Sequence, residues 1–147
     1  MIDFQREQVH TCFAEAIPLI KNYRQEIAYY EDFQLDPEFA KYAELEKAGI
    51  VRAYTAREDG ALIGFALFFF TPHLHFKSKI FAMHDILYIM PEKRGFGHRF
   101  IKWCDEQLTA DGADVIYFFV NGNFDYSPIL RRNGYSHADD LYTRRIK

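Results

Sequence analysis

With 147 residues the chain has the length of one domain, large enough to bury a core without disulfide or metal staples. Its 49% hydrophobic and 18% aromatic content is rich, yet its apolar runs stop well short of a membrane span. A net charge of -3 disfavours a nucleic-acid surface as its main business. The opening Met1-Ile2-Asp3-Phe4-Gln5-Arg6-Glu7 is charged and polar, so no signal peptide is expected. The two cysteines, Cys12 and Cys104, fall in predicted helices far apart in sequence and read as buried thiols of a cytoplasmic protein.

From the N-terminus, Val9, Phe13, Ile17 and Ile20 recur at three- and four-residue steps, which predicts an amphipathic helix over about residues 6 to 30, kinked or split at Pro18. Asp36-Pro37-Glu38 reads as an N-cap, a first-turn proline and a carboxylate near the dipole; Phe39, Tyr42 and Leu45 follow as a stripe, and Gly49 ends the helix. The period then becomes alternating. Val51 to Ala56 is a predicted strand, Glu58-Asp59-Gly60 a hairpin turn, and Leu62 to Thr71 a longer strand. Pro72 to Lys79 is a loop or distorted continuation, and Phe81 to Ile89 is a third strand. A helix follows over about Gly97 to Ala110, with Phe100, Ile101, Cys104 and Leu108 on one face. Val115 to Val120 is nearly all apolar and is expected to lie centrally with both faces covered. Ser127-Pro128 opens a short helix that Gly134 ends, and Tyr135 to Ile146 is expected to close the chain as a strand or strand pair. No repeat or linker divides the chain, so one domain over residues 1 to 147 is expected.

The stretch Ala82 to Leu108 organises the rest: a strand, a proline-led loop with two glycines among basic residues, then a helix. A helix that starts at such a turn leaves its first amides unpaired beside the positive end of its dipole, a geometry that binds phosphate oxygens. The P-loop ending Gly-Lys-Ser/Thr is absent, as is the three-glycine dinucleotide fingerprint. Pro91-Glu92-Lys93-Arg94-Gly95-Phe96-Gly97 instead resembles the coenzyme A pyrophosphate loop of the GNAT family of N-acetyltransferases, Arg/Gln-x-x-Gly-x-Gly/Ala after a strand ending in an apolar-x-Pro step. Two registers are open. Gly95 and Gly97 can be the two glycines with Glu92 leading, or Arg94 can lead with Gly97 first and Arg99 in place of the last; the first puts Phe100 and Ile101 at the first buried positions of the helix. The order of elements is also that of the family, lacking a well-defined first strand, and is closest to its compact phage- and prophage-encoded members. Those carry segments like Pro72-His73-Leu74-His75-Phe76-Lys77 and Asp85-Ile86-Leu87; Asn123, with Gly134 and Tyr135 eleven residues on, forms a second anchor.

The resemblance implies an α/β (α+β) fold, a mixed central sheet with splayed parallel strands flanked by helices, and an acetyl-CoA-dependent N-acetyltransferase acting by direct transfer. The cofactor would be held by the backbone of Leu87, Tyr88 and Ile89, by the loop residues Lys93, Arg94, Gly95, Phe96, Gly97, His98 and Arg99, and by Asn123. The acceptor would be an amine of a small molecule or a protein, with no membrane or nucleic-acid partner, and family members often form homodimers. Alternation places Asp85, Leu87 and Ile89 on one face, and the family position six before the proline, here Asp85, points toward the acceptor; Asp85 is therefore the candidate base, or else only orients backbone or an arginine. Many members use as acid a tyrosine four residues before the glycine; that position is Leu130, and Tyr126 or Tyr135 would substitute. Glu26, Tyr30 and Glu31 fall where the family shapes its acceptor pocket. His73, His75 and His84 are alternative bases with better-placed pKa values, or, for His73 and His75, loop residues over the ligand. His-x-His finds no third ligand at a metal spacing, so no metal is read. The alternative reading is a catalytically weak binding or structural module of the same fold, which Leu130 at the acid position favours.

Overall fold

A computed structural model describes all of residues 1–147, and one five-stranded sheet divides it into two layers. The strands are β1 (Ile2–Glu7), β2 (Val51–Glu58), β3 (Ala61–His73), β4 (Phe76–Ile89) and β5 (Val115–Tyr117), in spatial order β1-β2-β3-β4-β5. The first four are antiparallel and β5 joins β4 in parallel. Helices α1 (Val9–Ile27) and α2 (Phe39–Lys47) cover one face; α3 (Gly97–Ala110) covers the other, with the short α4 (Ser127–Arg132) beside it. This is the expected mixed sheet flanked by helices. No helix is long and apolar enough to cross a membrane.

Two cores follow from this layering. Val9, Leu19 and Ile20 of α1 pack on Val51, Ala53, Phe65, Leu67 and Tyr88. On the other face Phe96, Phe100, Cys104 and Leu108 pack on Tyr54, Ala66, Phe68 and Ile89. Strands β2 and β3 serve both layers, so both are buried over most of their length; the β3 sequence is apolar almost without interruption, whereas β2 carries Arg52, Thr55 and Arg57 between its apolar residues. Each layer holds one free, buried thiol, Cys12 on α1 and Cys104 on α3; burial pushes Cys12 up to about 11.

Several expectations are corrected. Residues 2 to 7 form β1, pairing Ile2 with Glu58 and Glu7 with Ala53, so the first strand is well defined and Arg6 and Glu7 belong to it and not to the helix. Its Ile2 and Phe4 face the α3 core, while Glu7 is held by Arg57 and Thr55, which keep its carboxyl below the usual range. Asp36 and Pro37 lie before α2, whose N-cap is Glu38. The predicted loop Pro72 to Lys79 is a hairpin that extends both strands, with turn residues Leu74 and His75. Val115 to Val120 is not a central strand: only Val115–Tyr117 pairs, at the sheet edge and half-buried. Residues 135 to 147 form no strand; Leu141, Tyr142 and Ile146 are exposed, and the arm instead runs against the segment after α1. The hairpin turn at Asp59-Gly60 is as expected, both with positive φ (50° and 86°), the pairing that suits strand twist.

Gly64 lies opposite Ile89 where β3 and β4 approach closely, and a Cβ there would stand 2.9 Å from the Tyr88 carbonyl oxygen. Because that neighbour is backbone at the centre of the sheet, it cannot swing aside. Gly64→Ala is expected to lower unfolding free energy by about 1–3 kcal/mol, read as an earlier urea midpoint; an unchanged midpoint would contradict the close packing.

Candidate active site

Strands β4 and β5 pair over only three residues, Phe81–Met83 with Val115–Tyr117. The next rung fails for a visible reason. The Phe119 amide donates to Nδ1 of His84 at 2.9 Å, so a side chain of β4 takes the place of its backbone acceptor. From there the chain leaves the sheet, and β4 runs on from His84 to Ile89 with no strand on that side.

The resulting gap is a cleft of about 210 Å³. Its walls are His84 and Leu87–Ile89 of β4, Gly97 and Ile101 of α3, Tyr23 to Ile27 at the end of α1, and the segment Phe119 to Ile129. Asn121 and Asn123 tie that segment to α1 by donating to the carbonyls of Ile27 (2.9 Å) and Ala28 (3.2 Å). Gly97 forms part of the wall: a Cβ on it would sit 3.4 Å from Cδ1 of Ile89 and 3.9 Å from Cδ1 of Ile129.

The loop differs from an open phosphate cradle. Pro91–Phe96 winds as a 3₁₀ helix directly into α3, committing amides such as Lys93 to Met90 (2.8 Å) and Gly97 to Arg94. The later first-turn amides of α3 have no acceptor within that helix, and no side chain caps it. Arg94 reaches back across the cleft mouth. Its Nε donates to the Ile89 carbonyl at 3.0 Å, its Nη2 pairs with Glu26, and its guanidinium lies 4.5 Å from the Phe124 ring centroid. Lys93 turns to Glu58, Arg99 lies over Phe4, Gly95 is exposed and Phe96 is core; Nδ1 of His98 is buried without a partner. Phe100 and Ile101 are the first large buried side chains of α3, as expected.

His84 and Tyr126 form the polar centre of the cleft. His84 is 7% exposed, and burial lowers its pKa to about 4. Since Nδ1 accepts from a backbone amide, the neutral ring carries its proton on Nε2, 3.5 Å from the Tyr126 hydroxyl. Tyr126 donates to the Phe119 carbonyl at 3.0 Å, and burial raises its pKa, so it stays a phenol. Such a pair can donate a proton but does not act as a base near neutrality.

The structure separates the other candidates. Asp85 does not share a face with Leu87 and Ile89: Phe68 pairs with His84 and Leu67 with Ile86, so Asp85 is the extra residue of a β-bulge. The bulge turns it to the α2 side, where Tyr42 donates to it at 2.5 Å and burial raises its carboxyl pKa. Tyr135 stands outside the cleft and donates to Asp105 at 2.6 Å; burial lifts Asp105 to about 6. Leu130 is buried. His73 and His75 lie at the opposite end of the β3–β4 hairpin, stacked around Phe76 and Phe81. Glu26 lines the cleft; Tyr30 lies beyond α1, bonded to Thr143, and Glu31 is held through its carbonyl by Arg24. Tyr23, Asn121, Phe124 and Ile129 were not foreseen, because no period marks residues that meet only at a sheet edge.

No family model and no curated protein matches the chain. Solved structures do. A ribosomal-protein-alanine N-acetyltransferase of Brucella melitensis biovar Abortus 2308 superposes with TM-score 0.72 at 20% identity, covering 98% of this chain and 99% of that one. An aminoglycoside acetyltransferase from an uncultured soil metagenomic sample, in complex with sisomicin, gives 0.73 at 14%, covering 99% and 95%. A predicted acetyltransferase of Clostridium acetobutylicum, solved with acetyl-CoA, gives 0.73 at 11%, covering 99% and 96%. The fold is therefore that of the GNAT acetyltransferases.

Because the folded His84 pKa is depressed, the unfolded chain binds a proton that the folded one refuses between pH 6.5 and about 4. His84 thus contributes full stability above its unfolded pKa and loses it as pH falls through that window. Asp105 acts with the opposite sign, so the wild type must be compared with His84→Asn, which keeps an acceptor for Phe119. From pH 7 to 4.5 the variant is expected to gain up to about 3 kcal/mol on the wild type by urea titration; parallel pH profiles would contradict a buried neutral imidazole.

Proposed function

We propose that this chain, folded as the GNAT acetyltransferases are, is an acetyl-CoA-dependent N-acetyltransferase that transfers acetyl directly to a primary amine. The observation that carries the reading is the splayed cleft: an unpaired β4 edge running from His84 to Ile89 into the first turn of α3. The residues present fit the cofactor. A strand edge offers alternating donors and acceptors to the amides of a pantetheine arm, and Gly97 keeps the wall open where a Cβ would meet Ile89. Bound acetyl-CoA would supply an acetyl thioester, whose carbonyl carbon would exchange its bond to sulfur for one to the amine nitrogen, the sulfur leaving as a protonated thiol.

Leu87, Tyr88 and Ile89 present their backbone to the arm, after Arg94 releases the Ile89 carbonyl. The first-turn amides of α3, with Arg94 and Arg99 near them and His98 in the same turn, offer donors and positive potential to the pyrophosphate, and Asn123 fixes the facing wall. Asp85 faces the α2 side and does not line the cleft, so it is the base for an amine that enters from that side, its pKa raised by burial. Tyr126, kept protonated and oriented by Phe119 and His84, gives a proton to the departing sulfur. Tyr135 does not enter this scheme; its hydroxyl is held by Asp105 and its ring packs on Phe118. A second reading, a binding module of the same fold, is favoured by one observation: the position where many relatives carry an acid is a buried leucine, Leu130.

Isothermal titration is expected to show acetyl-CoA and coenzyme A binding at micromolar Kd and ATP not binding; absence of coenzyme A binding would sink the proposal. Gly97→Val should weaken acetyl-CoA roughly tenfold by filling the cleft wall. Tyr126→Phe should leave acetyl-CoA binding unchanged and lower kcat by about a hundredfold. Cofactor binding without turnover of any amine would select the binding-module reading.

A further inference from the structure

We propose that the acceptor is a primary amine carried on an aromatic or branched aliphatic body, seated in a second cavity behind the cleft; this rests on the acetyltransferase reading above. The cavity, about 370 Å³, lies between α1, the segment 28 to 38, α2 and the sheet. Tyr23 and Ile27 line both it and the cleft, so the two spaces share a wall. That volume lies in the range of small-ligand pockets.

Its chemistry is apolar and aromatic. Phe13, Phe33, Phe39 and Tyr42 form the sides, and Leu67 and Ile86 the floor. At the mouth Phe33 and Leu35 are 50% and 40% exposed, apolar surface placed so that an apolar occupant would cover it. Charge inside is scarce. The lining has one carboxylate, Asp36, and one cation, Arg24, whose guanidinium is already bonded to the carbonyls of Glu31 and Phe33. Behind Tyr42 lies the carboxylate of Asp85, bonded by a neutral phenol and paired with no cation. Of the other nearby carboxylates, Glu26 is taken by Arg94 and Asp32 by Arg145, while the exposed Asp36 at the mouth is paired with no cation.

One ammonium group fits this inventory. It is attracted by ring faces and by Asp85, while the body it is attached to fills the apolar space. A polycation fits poorly, since beyond Asp36 at the mouth the lining offers its further charges no unpaired carboxylate. The outer wall is itself held by the C-terminal arm. Arg145 grips both carboxylate oxygens of Asp32 at 2.7 Å and lies 4.8 Å from the Phe33 ring centroid, and Thr143 bonds Tyr30 at 2.9 Å. Arg145 is a positioning residue for the pocket.

The test follows thiol release from acetyl-CoA by the intact protein with phenethylamine, isoamylamine, spermidine and kanamycin, beside direct titration of phenethylamine into the protein alone. The expected result is kcat/KM for phenethylamine at least roughly tenfold above spermidine and kanamycin. Leu35→Lys, a charge at the exposed mouth, should raise KM for phenethylamine roughly tenfold with kcat and acetyl-CoA binding unchanged. Arg145→Ala should raise the same KM several-fold. Preference for kanamycin or spermidine would overturn the inference while leaving the acetyltransferase reading intact. Phenethylamine binding that Leu35→Lys abolishes, with no amine acetylated, would support the pocket and defeat the transferase reading. Failure of phenethylamine both to bind and to react overturns the inference.

Discussion

The hydrogen bond from the Phe119 amide to the His84 imidazole is the constraint on which the site depends. A parallel ladder that continued past Met83 and Tyr117 would close the sheet and leave no gap. By offering a ring nitrogen where a backbone oxygen would be, His84 satisfies the amide and turns the chain away from β4. The imidazole must remain neutral to accept that bond, which is why its burial matters as much as its position. The same turn brings Tyr126 back over the ring and places the 119 to 129 segment opposite β4.

The sheet can support such a gap because it is held elsewhere. Four antiparallel strands, each layer packed by its own helices, make β2 and β3 a rigid centre from which β4 projects one free edge. The bulge at Asp85 falls beside the break in the ladder, and the two irregularities work together. One opens the edge toward the cleft; the next residue turns a carboxylate to the opposite face, toward the aromatic cavity. A single step along β4 thus serves both sides of the sheet.

Much of the fold was legible in the sequence, because it rests on local signals. The stripe of Phe100, Ile101, Cys104 and Leu108, the Asp59-Gly60 turn and the apolar run of β3 each follow from one local pattern or one turn type. What misled the reading was context. Ile2 to Gln5 alternates apolar and polar residues, but the charged Arg6-Glu7 beside a strong helical period resembles the start of that helix. The apolar run at Val115 looked central because two faces are covered elsewhere by such runs; here three residues pair, and Phe118 and Phe119 pack instead against His84. Alternation assumes an unbroken pleat, and the bulge at Asp85 breaks it, which puts that side chain on the other face. The cleft residues Tyr23, Asn121, Phe124 and Ile129 carry no local signal, since only the sheet edge brings them together.

The two buried cysteines give the layered architecture a further property. Cys12 belongs to the helical layer of α1 and Cys104 to that of α3, and a thiol shielded from solvent reacts with alkylating reagents only when its surroundings open. Each layer therefore carries its own chemical clock. The pace at which each cysteine is labelled would report how often that layer parts from the sheet, and whether the two part together or singly.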